Sequence, residues 1–170
     1  MAKQKSMNGK TKKRGPYLSA AFFCERTIED KQDNTISVVR MVDTLMIQLH
    51  PSTPLDFPSE ANRLPVPISA LVSFKTGDSP GPHTLKLILE SPSGKKAPSV
   101  EQNFVLSKDP QGGFNYRLNS VIQVVKGGLF WLHVYLDDKH ITKTPFLIKI
   151  ERPEQSISTS HQPGNPAILP

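Results

Sequence analysis

Cysteine and tryptophan occur once each in this chain, and no uninterrupted apolar run approaches membrane length. One cysteine excludes an internal disulfide framework and any zinc site built from several thiolates. The lack of a run of about 18 apolar residues excludes a membrane-spanning helix. Missing too are the spacings that carry cofactor chemistry. The histidines His50, His83, His133, His140 and His161 form no H-x-H or H-E-x-x-H pair, and no glycine cluster has a dinucleotide or phosphate-loop pattern. No segment places apolar residues at helical spacing. Turn chemistry, by contrast, is plentiful, with 16 prolines and 10 glycines set between short apolar stretches. The 170 residues suit one domain with tails.

The formal net charge of +6 and a pI of about 9.5 belong to one place. Lys3, Lys5, Lys10, Lys12, Lys13 and Arg14 crowd the first 14 residues without an acid, and the remaining basic residues equal the acids in number. The body is electrically balanced, and the basic character belongs to a tail. The arm itself, through Lys10, Lys12, Lys13 and Arg14, is a candidate contact for nucleic acid or another anionic surface by counterion release. A solvated terminus is its plainer reading, because it has no aromatic for stacking and no apolar face. The apolar stretch 17–24 behind the arm is at the short limit for a secretion signal. Phe22 and Phe23 stand where cleavage needs small residues, so a cytoplasmic location is expected.

At the other terminus, residues 153–170 combine four prolines with serine, glutamine and asparagine and show no apolar period. Such a segment buries too little surface to offset chain entropy and is expected to be disordered. Its Ile168-Leu169-Pro170 ending is a weak candidate for a short docking peptide.

Between the tails, period-two alternation marks strands with one buried face. Leu85, Leu87 and Leu89 alternate with polar residues over 83–90, and Val66, Ile68, Ala70, Val72 and Phe74 do the same in the preceding segment. Pro65 and Pro67 fall at its start, where a missing amide donor is tolerated. Further strands are expected at 17–26, 35–50, 100–106, 115–125, 129–136 and 141–150, the second bending near Asp43. Turn clusters separate them, among them 29–34, 76–82, 91–96, 109–113 and Asp137-Asp138. About eight strands at this spacing predict an all-β, antiparallel, immunoglobulin-like β-sandwich. The expected division is a disordered basic arm (1–15), the sandwich (16–152) and a disordered Pro/Ser-rich tail (153–170).

Two stretches carry a resemblance. Tyr17-Leu-Ser-Ala-Ala-Phe-Phe-Cys-Glu25 with Ile36-Ser-Val-Val-Arg-Met-Val-Asp43, and Gly128-Leu-Phe-Trp-Leu-His-Val-Tyr-Leu-Asp-Asp138 with Thr144-Pro-Phe-Leu-Ile148, resemble a bacterial family of small proteins, a domain of unknown function. The resemblance implies a bacterial origin and a β-sandwich body, and brings no activity or site residue with it.

Candidate site residues are few. Cys24 shares an alternating face with Leu18, Ala20 and Phe22 and reads as a small core residue. Lys86, Lys95 and Lys96 lie in or near a Ser-Pro-Ser-Gly turn that is no phosphate loop. If successive strands reverse, Asp30, Asp33, Asp78, Asp109, Asp137 and Asp138 gather at one end of the sandwich. The 51–64 link, Lys95, Lys96, Lys126 and both tail junctions then lie at the other. Converging aspartates make a candidate calcium or carbohydrate end, although aspartate is a standard turn former and no D-x-D-x-D-G spacing occurs. Trp131, His133 and Tyr135 lie on one face of one strand. They form a candidate partner-contact patch, against the plainer reading of a strand buried on both faces.

With no catalytic constellation, the sequence reads as a non-enzymatic binding or adaptor module that recognises a macromolecular partner, expected to be a protein, by its loops, a sheet edge or the Trp131 face. No cofactor and no metal are expected. Nucleic-acid binding through the arm and cation or carbohydrate binding at the acidic end are the alternatives.

Overall fold

The computed structural model of the chain describes residues 15–33 and 35–153. The basic arm, including Lys10, Lys12, Lys13 and Arg14, and the tail beyond Pro153 lie outside them. Every regular element among the described residues is a strand: β1 (Tyr17–Glu29), β2 (Ile36–Met41), β3 (Thr44–Gln48), β4 (Leu64–Lys75), β5 (Gly81–Glu90), β6 (Val100–Leu106), β7 (Gly113–Val124), β8 (Gly128–Leu136) and β9 (Lys139–Glu151). No described helix is long and apolar enough to cross a membrane.

Two sheets stack, in the orders β2-β1-β4-β7 and β3-β9-β8-β5-β6. The chain crosses between them at β2–β3, β3–β4, β4–β5, β6–β7 and β7–β8, while β1–β2, β5–β6 and β8–β9 are hairpins within one sheet. With the early strand β3 laid parallel to the final strand β9, this is an immunoglobulin-like sandwich. The expected bend near Asp43 is the place where one segment becomes two strands. Met41 still pairs with Cys24 of β1, whereas the Asp43 carbonyl accepts the Leu147 amide of β9, so the chain changes sheets over two residues.

The alternation read from the sequence sets the core. Val66, Ile68, Ala70, Val72 and Phe74 of β4 face Leu85 and Leu87 of β5 and Phe130, Leu132, Val134 and Leu136 of β8, all buried. Phe23 stacks on Phe146 with centroids 4.6 Å apart, joining β1 to β9 across the sandwich. Phe104 and Phe114 stack at 3.9 Å and close the side between β6 and β7.

The phase of β1 departs from the sequence reading. A bulge between Leu18 and Ala20 turns Leu18, Ala21 and Phe23 towards the core, so Ala20, Phe22 and Cys24 face the opposite side. Cys24 is buried as expected, but with Leu71 outside the main core cluster. What covers them follows from an ion pair. Glu29 meets Arg117 at 2.7 Å, yet in a flat sheet it would lie seven residues past the position aligned with Arg117, about 23 Å away. The distal half of the β1–β2 hairpin therefore bends across the outer face of β4 and roofs a satellite cluster.

Candidate functional site

β8 is a central strand, flanked by β5 and β9. Its even-numbered side chains from Phe130 to Leu136 enter the core, and Trp131, His133 and Tyr135 stand on the outer face, largely covered, with the His133 side chain 12% exposed. They are not fully buried, unlike the core-facing residues of the same strand. Register supplies their neighbours. Glu90, Ile88 and Lys86 of β5 lie on one side, and Pro145, Lys143 and His140 of β9 on the other.

These neighbours fix the row. The Lys143 ammonium sits 4.2 Å above the centre of the Trp131 ring, a cation–π contact across the β8–β9 pair. His133 Nε2 lies 2.9 Å from a Glu90 carboxylate oxygen and its Nδ1 3.4 Å from His140 Nε2. Tyr135 meets the His140 ring edge-on at 5.0 Å. Lys86 lies 3.3 Å from Glu101 and 3.4 Å from Asp138; hydrogen bonds first, then the two negative charges, raise its pKa above the ordinary lysine value. Beyond Trp131 the face continues through Leu129 and Leu147 to Met46 of β3, with Leu129 41% and Met46 55% exposed. The result is an aromatic and apolar strip flanked by the ion pairs of Lys86 and His133 and by Lys143 and Lys149, which have no acidic partner among the described residues. Of this strip the sequence reading had only the β8 residues, because Lys143, His140, Ile88 and Met46 join it through strand pairing.

The acidic candidates divide. Asp78, Asp109, Asp137 and Asp138 lie at the end where β4, β6 and β8 finish. The β1–β2 turn with Asp30 and Asp33 lies elsewhere, at the far end of β1, where Glu29 leans over the middle of β7. Two causes act: β1 starts at the acidic end and runs away from it, and 35–50 is two strands of opposite direction, which shifts the count of reversals. For the same reason the junction with the basic arm lies at the acidic end, where the Ser79 hydroxyl donates to the Gly15 carbonyl at 2.7 Å. The acids serve their own turns. Asp30, Asp33 and Asp109 accept the amides of Gln32, Thr35 and Gln111, and Asp138 meets Lys86. Asp137 binds His83 Nδ1 at 2.7 Å and the Thr84 amide at 2.9 Å. Partial burial works to raise its pKa, but the His83 bond, the Thr84 amide and the His83 charge outweigh it and hold the carboxyl below its ordinary value. Asp137 and Asp138 both take positive φ, as a two-residue hairpin turn of the twisted kind requires. Among the described residues no three His, Cys, Asp or Glu side chains are grouped to hold a metal.

Cys24 pairs across the ladder with Ser69, and burial pushes its thiol up. Two open grooves complete the surface. One of about 420 Å³ lies between 48–51 and 151–153, and one of about 270 Å³ lies beside His83, Phe104 and Asp137. The first contains Arg152, whose guanidinium donates to the carbonyls of Thr53, Pro54, Leu55 and Phe57 and so ties the 51–63 link to the end of β9.

No protein-family model matches the chain, and no curated protein matches it. Among solved structures it is similar to an immunoglobulin-like protein from Pseudomonas aeruginosa, with 10% identity over 81% of this chain and 98% of that one and a TM-score of 0.34. A glycosyl hydrolase family 2 member from Bacteroides cellulosilyticus shows 13% identity over 48% of this chain, with a TM-score of 0.37. A Pseudomonas fluorescens alkylpurine DNA glycosylase bound to abasic-site DNA shows 10% identity over 63%, with a TM-score of 0.32. The chain spans 11% of the hydrolase's length and 28% of the glycosylase's. The immunoglobulin-like assignment rests on the strand order and the parallel β3–β9 pair.

Proposed function

We propose that this chain is a non-enzymatic binding module that recognises a protein partner with the outer face of its five-stranded sheet, centred on Trp131, His133 and Tyr135. The supporting observation is the strip itself. Trp131 lies under Lys143, the His133–Glu90–His140 group locks the middle of the row, and Leu129 and Met46 extend it into solvent. Rigid aromatic anchors of this kind lose little side-chain entropy on binding and carry most of the energy of protein contacts. Lys86 is already paired with Glu101 and Asp138 and Glu90 with His133, so a partner covers these groups without stranding a charge, whereas Lys143 and Lys149 carry no ion pair within the face among the described residues.

The test is affinity capture from host extract with the full chain and with Trp131→Ala and Tyr135→Ala. The expected result is a reproducible partner whose recovery falls at least tenfold with Trp131→Ala, about 1.4 kcal/mol or more, while far-ultraviolet circular dichroism is unchanged. Equal capture by wild type and both variants would exclude this face as the site.

A further inference from the structure

A different surface, in the opposite sheet, carries an inference independent of that reading. Each sheet has two edges, and natural edge strands are kept from pairing by shortness, proline, bulges or charge. Three of the four here follow that pattern: β3 has five residues, β2 has six with Arg40 at positive φ, and β6 has seven with Glu101. The fourth, β7, does not. It runs for 12 residues without proline, and its register with β4 is unbroken from end to end. Its one charged residue, Arg117, is met by Glu29. Among the described residues no strand pairs with its outer side.

The phase of the ladder shows which groups are open. The Thr76 amide donates to the Gly112 carbonyl at 2.9 Å, one step beyond the Lys75–Gly113 pair. Bonded and non-bonded pairs alternate in an antiparallel ladder. Phe114, Tyr116, Leu118, Ser120, Ile122 and Val124 therefore turn their backbone groups towards β4. Gly113, Asn115, Arg117, Asn119, Val121 and Gln123 turn theirs to the open edge. Pro65 and Pro67 agree with this phase, because they sit opposite Gln123 and Val121, where β4 needs no donor.

We propose that β7 pairs antiparallel with β7 of a second copy about a twofold axis at Asn119, joining the two four-stranded sheets into one. In this register Asn115 lies opposite Gln123 of the other copy and Arg117 opposite Val121, so the five open residues from Asn115 to Gln123 all find partners and Gly113 alone is left over. Two residues of slip towards Gln123 leave more of them unmatched, and two towards Gly113 set Arg117 opposite Asn119 in place of Val121. About ten main-chain hydrogen bonds form, since each bonded pair exchanges two. The occupant is a second copy because an antiparallel edge is complementary to itself and because its charge permits it. Each arginine faces a valine that is 58% exposed in the single chain, rather than another arginine.

The experiment is sedimentation equilibrium on the full chain over a wide concentration range, with Val121→Lys, Val121→Glu and Val121→Pro beside the wild type. A reversible dimer is expected. Lysine at 121 faces Arg117 twice per dimer and should weaken association about tenfold, whereas glutamate should leave it unchanged or tighten it. Proline removes an edge amide without touching a bond to β4 and should abolish the dimer. A monomer at every concentration, a dimer indifferent to Val121→Pro, or equal weakening by lysine and glutamate would overturn the proposal.

Discussion

Replacing Phe23 by alanine tests the packing of the sandwich against the simplest reading of its first strand. Uninterrupted alternation from Leu18 puts Phe22 in the core; the bulge after Leu18 puts Phe23 there instead, 2% exposed and stacked on Phe146. Truncating a buried phenylalanine costs about 3–5 kcal/mol in transfer and cavity terms. Phe22, half-buried on the other face, should cost about 1–2 kcal/mol. With a urea m-value of about 2 kcal/mol/M, Phe23→Ala should lower the unfolding midpoint by about 2 M and Phe22→Ala by less than about 1 M. Trp131 is the chain's one tryptophan and lies in the opposite sheet, so its fluorescence follows unfolding without reporting on the mutated site. A cycle with Phe146→Ala should return a coupling of about 0.5–1.5 kcal/mol for Phe23 and none for Phe22. A Phe22→Ala loss equal to or larger than that of Phe23→Ala would refute the bulge and the placement of the core with it.

Three further outcomes are expected. Arg152→Met should destabilise by about 1.5–3 kcal/mol and speed amide exchange in 51–63, with Arg152→Lys recovering less than half, because an ammonium cannot fork among four carbonyls. The Asp137 carboxyl titrates below its ordinary value in the folded chain, so its contribution is complete above that value and lost as pH falls through the folded one. Half-exposed, it contributes about 1 kcal/mol or less, and the stability gap between wild type and Asp137→Asn measured by urea titration should close progressively as pH falls below the ordinary carboxylate value of about 4. Cys24 should resist thiol reagents in the native chain and react at once in urea, while Glu29→Ala, by freeing the hairpin roof, should speed native labelling several-fold.

The legible part of this fold was local. The alternation in β4, β5 and β8 and the Asp137-Asp138 turn could be read directly, because a strand's side-chain period and a tight turn's backbone demands are written in adjacent residues. The break near Asp43 was legible as a bend. Its consequence, a reversal that moves Asp30 and Asp33 away from the other aspartates, depends on which sheet each half joins. The bulge after Leu18 leaves no mark in composition, yet it exchanges the faces of Phe22 and Phe23. The candidate site was legible only as the β8 row. Lys143 over Trp131 and Glu90 against His133 come from partners 12 and 43 positions away in the chain. The Arg152 tie was hidden for another reason, since its acceptors are backbone carbonyls that any sequence supplies.

Acrylamide quenching of the Trp131 emission, in the free chain and with its captured partner at saturation, bears most directly on the contact face. An indole open to quencher alone and shielded two-fold or more in the complex is the expected result. An indole equally open in both states would contradict the assignment.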